Sequence, residues 1–389
     1  MFNLVVDRIV DNEPWPALQA YPRRDSSVPW AETWPYTQPP DLVAYCKEFD
    51  VAYNLYTTAA YPADSYYIVH LGFFDFAIDY VGLLPESVFD AVRLGRLRIL
   101  FYYHEGDDPF KIKNRLDSLC AAYKLTYDAY RFVSGNTAAA AIENFVWFAD
   151  HELLYYIRNR NEQRIFENTG SLPRTFTALT RTHQWWRATA LADLHRRGLL
   201  DNSYWSYNPG IRADTTIQDC AIEIDILDIK DDLMQFVARA PYRADDLTVD
   251  EHNNHTITVM EHYRNSSCNI VFETLFDADG SGGAFVSEKT FKPIKHGQPF
   301  VVVGCAGTLQ LLRDLGYRTF DRVIDTSYDQ IENNTRRWLA VRTAIEQIAH
   351  GDVERFRRQC AADVEHNQAL FLTSKANRLN MLLRKLNND

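Results

Sequence analysis

The sequence predicts an α/β protein made of two doubly wound domains facing a cleft, followed by a C-terminal helical segment. Three observations predict it. The chain has 389 residues, too many for one ordinary core and suited to two. Apolar runs rich in β-branched and aromatic residues alternate with stretches of helical spacing, the rhythm of parallel strands joined by crossover helices. That rhythm occurs twice, on either side of a soft break near 165–172. The expected domains are 1–168, 169–355, and a segment 356–389 packing back across them.

Residues 1–40 are rich in Pro, Trp and Tyr and show no period, so they read as ordered loop with short strands. Three strands follow: "YYIVHLGFFDF" (66–76), "RLRILFYYHE" (96–105) and "YRFVSGN" (130–136). Between the last two, residues 108–125 carry Ile112, Leu116, Leu119 and Cys120 at helical spacing. In the second set, "RTFTALT" (174–180) reads as a strand and "QWWRATALADLHRRG" (184–198) as a helix closed by Gly198. "CNIVFETLF" (268–276) and "PFVVVG" (299–304) are further strands, and "GTLQLLRDLG" (307–316) a short helix. From Tyr328 to Asn388 the chain reads as helical, broken near "HGD" (350–352).

The formal net charge is −11, which argues against a protein that coats nucleic acid non-specifically. Local charge differs. His151 to Arg212 holds nine Arg, no Lys and five acids, a bias that suits planar contacts to phosphate or carboxylate and equally a solvated surface. The six Cys are far apart with no CxxC pair, as in free thiols of a reducing compartment. No window approaches 18 apolar residues, and the N-terminus lacks the zones of a signal peptide, so a cytoplasmic location is expected.

The segment "AFVSEKTFKPIKHGQPFVVVG" (284–304) carries the most chemistry. Ser287 is a good N-cap, and Glu288 and Lys289 then fall in the first turn of a helix, where free amides favour an anion. A Lys there strengthens a phosphate site, and a Glu beside it suits the paired hydroxyls of a ribose. The plain alternative is a capped surface helix with an incidental ion pair. Pro293 should kink or shorten that helix. Asp277, Asp279, Ser281, Gly282 and Glu288 also match positions of a calcium loop, but a strand rather than a helix precedes them.

"FET", a Gly-rich insert, "FVSEKTFKPI" and "GQPFVVVG" resemble the donor-site signature of the alpha-1,3-fucosyltransferases. The upstream "RTFTALTRTHQWWRATALADL" is similar to that family's strand and Arg-bearing helix. The resemblance covers roughly 174–325. It implies a GT-B-like fold of two Rossmann-type domains and a nucleotide-sugar donor, UDP- or GDP-linked. By position, Lys289 would hold the diphosphate, Glu288 the ribose, and Arg187 a second phosphate contact. Thr274 and Phe285 would line the sugar, with Ser287 completing the donor set. Thr274 stands where the family has Asn. The wider pattern resembles uncharacterised proteins of large tailed viruses. That implies a viral enzyme in the infected host cell, with 5-hydroxymethylpyrimidine bases of viral DNA as acceptor; the GT-B-like architecture implies metal independence, and an inverting transfer is expected.

An inverting transfer needs a general base at the acceptor hydroxyl. "FYYHEGDDPF" (101–110) follows a strand, so Glu105 and Asp107 are the candidates, with Asp75 in "GFFDF" the second choice. Asp108 reads as the N-cap of the next helix. Trp186 and Arg181 are candidates for contact with the acceptor. "HNNH" (252–255) lacks further ligands for zinc, so no metal set is expected. Two other readings stay open: transfer to a surface or capsid glycan, and a non-catalytic nucleotide- or carbohydrate-binding protein.

Overall fold

The computed structural model describes residues 2–6, 8–10, 13–15, 41–71, 74–159, 172–180, 182–209, 220–244, 258–277 and 282–388. Arg181, Asp279 and the "HNNH" segment lie outside them. The chain divides into two units, one of residues 1–157 with 374–389, the other of residues 158–373. Each is an α/β unit built on a parallel sheet, of the Rossmann type that the strand and helix rhythm implies.

Unit 1 holds β1 (Phe2–Val6), the antiparallel pair β2 (Arg8–Val10) and β3 (Glu13–Trp15), α1 (Asp41–Glu48), β4 (Tyr53–Thr57) and β5 (Ser65–Leu71). After these come α2 (Glu86–Arg93), β6 (Leu97–Tyr103), α3 (Pro109–Ala122), β7 (Tyr130–Ser134), β8 (Phe145–Trp147) and α4 (Asp150–Arg158). The sheet order is β4-β1-β5-β6-β7-β8, parallel throughout. The pleat sorts side chains onto two faces. Val5, Tyr67, Val69, Ile99, Phe101 and Phe132 pack toward α2 and α3. Leu4, Tyr66, Ile68, Leu100, Tyr102 and Val133 pack toward α1 and α4. Both faces are therefore buried, as a parallel sheet requires.

Residues 1–40 read as loop with short strands, and three short strands are present among the described residues, but the reading does not place β1 inside the sheet, where Phe2, Leu4, Val5 and Val6 are fully buried. Five residues, "FNLVV", are too short to show a period, and only the long-range pairing to β4 and β5 makes them a strand. The helix read from 108–125 is present as α3, and Asp108 caps it by accepting from Phe110 N (2.9 Å) and Lys111 N (3.3 Å).

Unit 2 holds β9 (Arg174–Leu179), α5 (Trp185–Arg196), β10 (Ser203–Ser206), α6 (Ile224–Leu227), α7 (Lys230–Arg239), α8 (Met260–Arg264), β11 (Ser266–Phe272) and α9 (Glu288–His296). It continues with β12 (Phe300–Val303), α10 (Thr308–Asp314), α11 (Asn334–His350) and α12 (Val353–Thr373). The sheet order β10-β9-β11-β12 is again parallel. The order reverses between β9 and β11, and ligands in such sheets bind beyond the carboxyl ends of the strands at that point. Among the described residues no helix is long and apolar enough to cross a membrane.

The last helix, α13 (Lys375–Asn388), returns to unit 1. Leu379, Leu382, Leu383 and Leu386 repeat at the helical period and sink into the face that carries Leu4 and Tyr66. Burial of each contributes about 2 kcal/mol. A buried ionic group fixes the helix start. Glu152 on α4 accepts from Lys375 Nζ (2.8 Å) and Ser374 Oγ (2.8 Å), and its Oε2 forms an ion pair with Arg378, 2.5 Å from Nε.

Removing the Glu152 charge leaves the buried Lys375 and the partly buried Arg378 without their shared counter-charge. Glu152→Gln should lower the stability of unit 1 by about 3–5 kcal/mol in urea denaturation. Burial pulls the Lys375 ammonium down to about 8, against the pull of Glu152 in the other direction. The unfolded chain holds that proton up to its ordinary 10.5. The stability gained from this group is thus full above 10.5 and lost as pH falls through about 8. Lys375→Met should flatten that rise in stability across the alkaline limb.

Candidate functional site

In unit 2 the carboxyl edge of the sheet is organised by Glu273, the residue that follows β11. Its backbone N–H donates to Val303 O (3.0 Å), and its carboxylate is fully buried. A buried carboxylate persists only when donors surround it. Thr274 N donates at 3.0 Å, Ser287 N at 3.1 Å, Ser287 Oγ at 2.6 Å, and Thr290 Oγ1 also donates. The strand read as 268–276 ends at Phe272 because this carboxylate turns the chain. It also folds the residues before α9 back against β11.

Ser287 caps α9 as its residue type predicts, accepting from Lys289 N at 3.4 Å. Pro293 sits inside the helix, which ends three residues later. Gly297 closes it with φ +71°, a left-handed conformation that favours glycine, and a Cβ there would also press on the Gln368 side-chain end, 2.7 Å away.

Lys289 is about one-third exposed at this edge. Its Nζ reaches Glu288 Oε1 (3.0 Å), Thr274 Oγ1 (3.2 Å) and Ser287 Oγ (3.3 Å). The structure thus brings Glu273, Thr274, Ser287, Glu288 and Lys289 into one polar group. Phe285 is buried. Arg187 is buried too. Its guanidinium donates to the Glu273 carbonyl and to Thr182 O (3.3 Å), tying α5 to the end of β11. Trp186 is buried against Phe276, ring centroids 4.9 Å apart, with the Arg187 guanidinium 5.0 Å from its ring.

Sequence reasoning missed Arg337, on α11. It is buried, lies 4.6 Å over the Phe276 ring, and donates to Gly304 O (3.0 Å), Ile331 O (2.8 Å), Glu332 O (3.0 Å), Asn334 Oδ1 (2.6 Å) and Phe276 O. Burial lowers the pKa of this guanidinium. Its partners are mostly carbonyls from three segments, which no local pattern announces. Asp329 is similar. Its carboxylate accepts from Leu309 N and Gln310 N, both 2.8 Å, and caps α10, while burial raises its pKa.

In unit 1 the carboxyl edge carries the acidic turn after β6. Asp107 accepts a hydrogen bond from Tyr103 Oη. Burial raises the Asp107 carboxyl, and Tyr103 is pushed up by burial and by Asp107 beside it. Asp75 serves its own turn, accepting from Ala77 N (2.9 Å), while its N–H donates to Tyr80 Oη (2.8 Å). Glu105 stands between two buried histidines. Its Oε1 is 3.5 Å from His104 Nε2, and its Oε2 is 3.8 Å from His151 Nε2. His104, Glu105 and His151 each offer a ligand atom, all within 4.8 Å of one another. His151 had no signal in the sequence, because 46 residues separate it from Glu105.

Neither a protein-family model nor a curated protein matches the sequence. Among solved structures, T4 phage BGT in complex with UDP and Mn2+ aligns over the whole of both chains with 11% identity and a TM-score of 0.38. A likeness that loose transfers neither activity nor site.

Truncating Glu273 strands buried donors on three residues. Glu273→Ala should cost at least ~3 kcal/mol by urea denaturation, since each unmet buried group costs about 1–3 kcal/mol. Asp107 behaves oppositely to a paired carboxylate. With its folded pKa raised, its contribution is full below the ordinary carboxyl value and lost as pH rises through the folded one. Asp107→Asn should therefore remove a loss of stability seen in thermal melts as pH rises above the ordinary carboxyl range.

Proposed function

We propose that this chain is a glycosyltransferase that takes a sugar from a UDP- or GDP-sugar to a hydroxyl acceptor. The observation that carries the reading is the polar group built on Glu273. It gathers the "FET" and "SEK" residues, 14 positions apart, at the point of unit 2 where strand order reverses. Residues that resemble a donor-site signature in sequence thus also converge in space.

In this reading Lys289 supplies the cation for the donor diphosphate, and its three present partners hold it at the edge until phosphate replaces them. Glu288 takes the ribose hydroxyls. Ser287 and Thr274 position Lys289 and face the donor. Arg187 steadies the Glu273 carbonyl and adds positive charge behind the phosphates. Phe285 packs beneath the sugar. As the glycosidic bond breaks, negative charge grows on the leaving diphosphate, and preorganised cations stabilise it. The acceptor hydroxyl loses its proton to a carboxylate of unit 1, Glu105 first and Asp107 or Asp75 after it. Trp186 and Arg181 are the proposed acceptor-side residues of unit 2.

The proposed acceptor is a 5-hydroxymethylpyrimidine base of viral DNA, modified in the infected host's cytoplasm. A flipped base needs an aromatic pocket and phosphate contacts, which the aromatic N-terminus and the Arg-rich 151–212 stretch would supply together. A glycan acceptor is the second reading, favoured by the net charge of −11. A non-catalytic binding protein is the third, favoured by Thr274 in place of Asn.

Thermal-shift screening against UDP-, GDP- and dTDP-sugars should find one nucleotide class that raises the melting temperature. Lys289→Ala should weaken that ligand about 10–100-fold, the loss of a charge-assisted contact of about 1.5–3 kcal/mol, while its own melt stays near wild type. Full transfer activity in Lys289→Ala would remove the site assignment. Sugar transfer to hydroxymethylcytosine duplex at low salt, fading as salt rises, would choose DNA over glycan.

A further inference from the structure

We propose that His104, Glu105 and His151 form a binding site for one divalent transition-metal ion in unit 1. The fold brings them together from two places. His104 and Glu105 directly follow β6, and His151 is the second residue of α4, just after β8. Strands β6, β7 and β8 are neighbours, so their carboxyl ends share one edge of the sheet.

The geometry suits an ion. Zinc lies about 2.0–2.2 Å from imidazole nitrogen or carboxylate oxygen, which places two tetrahedral ligands about 3.4 Å apart. The Glu105 carboxylate reaches the two imidazoles through different oxygens, at 3.5 and 3.8 Å, and one ligand atom from each of the three residues lies within 4.8 Å of the others. Small side-chain rotations close the set. Two imidazoles with one carboxylate select transition metals such as Zn2+, Fe2+ or Co2+ over Mg2+ and Ca2+, which take oxygen ligands. Three protein ligands leave a coordination position open, the pattern of a reactive rather than a structural centre.

The ligands are also held in place, as an ion site needs. Gly135 N donates to the Glu105 carbonyl at 3.1 Å, and Asn136 Nδ2 donates to Gly106 O at 3.0 Å. That pins the turn after β6 to the turn after β7. Asp150, beside His151, accepts from Tyr45 Oη (3.1 Å) and from Tyr102 Oη, which fixes the start of α4. Both histidines are about 95% buried, while the Glu105 side chain is one-third exposed and gives an ion its way in from solvent.

A bound ion would lower the pKa of a hydroxyl or water at its open position. This use rests on the transferase reading above, and Glu105 would then act as ligand in place of free base. Binding of the ion does not rest on it.

The test uses the full chain, stripped with EDTA and dialysed. Isothermal titration with Zn2+ should show one ion per chain, and Co2+ should give visible absorption bands. His151→Ala and Glu105→Gln should each weaken Zn2+ at least tenfold and abolish the Co2+ bands. Zn2+ should raise the melting temperature of the wild type and not of the variants. If His151→Ala fails to fold, the half-open Glu105→Gln decides alone. Absence of stoichiometric binding, or binding unchanged in Glu105→Gln, would overturn the site. Because the readout is metal binding, it can fail while the donor thermal shift persists, and the reverse.

Discussion

The buried carboxylate of Glu273 is the constraint on which the edge of unit 2 depends. Charge without water demands donors, and the nearest come from Thr274, Ser287 and Thr290. To supply them, the chain must return to β11 and begin a helix there. The helix start therefore stands next to the strand end, and Lys289 is delivered to the sheet edge. Arg187 and Arg337 complete the arrangement from outside. Each is a buried cation spent on backbone carbonyls, and each lies against an aromatic ring near the same turn. The polar residues at this edge are thus interdependent, and the framework is what presents the partly exposed Lys289.

Unit 1 solves a similar problem at the start of α4, where three consecutive residues face three demands. Asp150 accepts hydrogen bonds from the hydroxyls of Tyr45 and Tyr102. His151 joins Glu105 and His104. Glu152 gathers Ser374, Lys375 and Arg378. One helical turn ties the sheet, the candidate ion ligands and the last helix together. The sheet edge cannot shift without disturbing how the C-terminal helix is held.

Much of the fold was legible because its signals are local. The runs of β5 and β6, the spacing of Ile112 and Leu116, and the caps Asp108 and Ser287 each act within a few residues. The break at "HGD" is likewise where α11 stops and α12 follows. What stayed hidden is long-range. "FNLVV" becomes a central strand only by pairing across fifty residues. Glu273 read as part of a strand, since its partners lie 14 to 17 positions on. His151 gained meaning from a neighbour 46 positions back. Arg187 and Trp186 were visible as residue types, but their burial came from packing that a sequence period does not encode.

The return of α13 to unit 1 has a consequence for synthesis. Residues 158–373 contain every described strand and helix of unit 2, so that unit does not need the segment after 373 to close. The first 157 residues reach the solvent earlier, yet their sheet keeps one apolar face open where the four leucines of α13 belong. Glu152 likewise waits for Lys375 and Arg378. The ordinary order of assembly from the first domain onward is therefore inverted. The part of the chain made first is the part finished last, and it is the one that a chaperone has most reason to shelter on the ribosome.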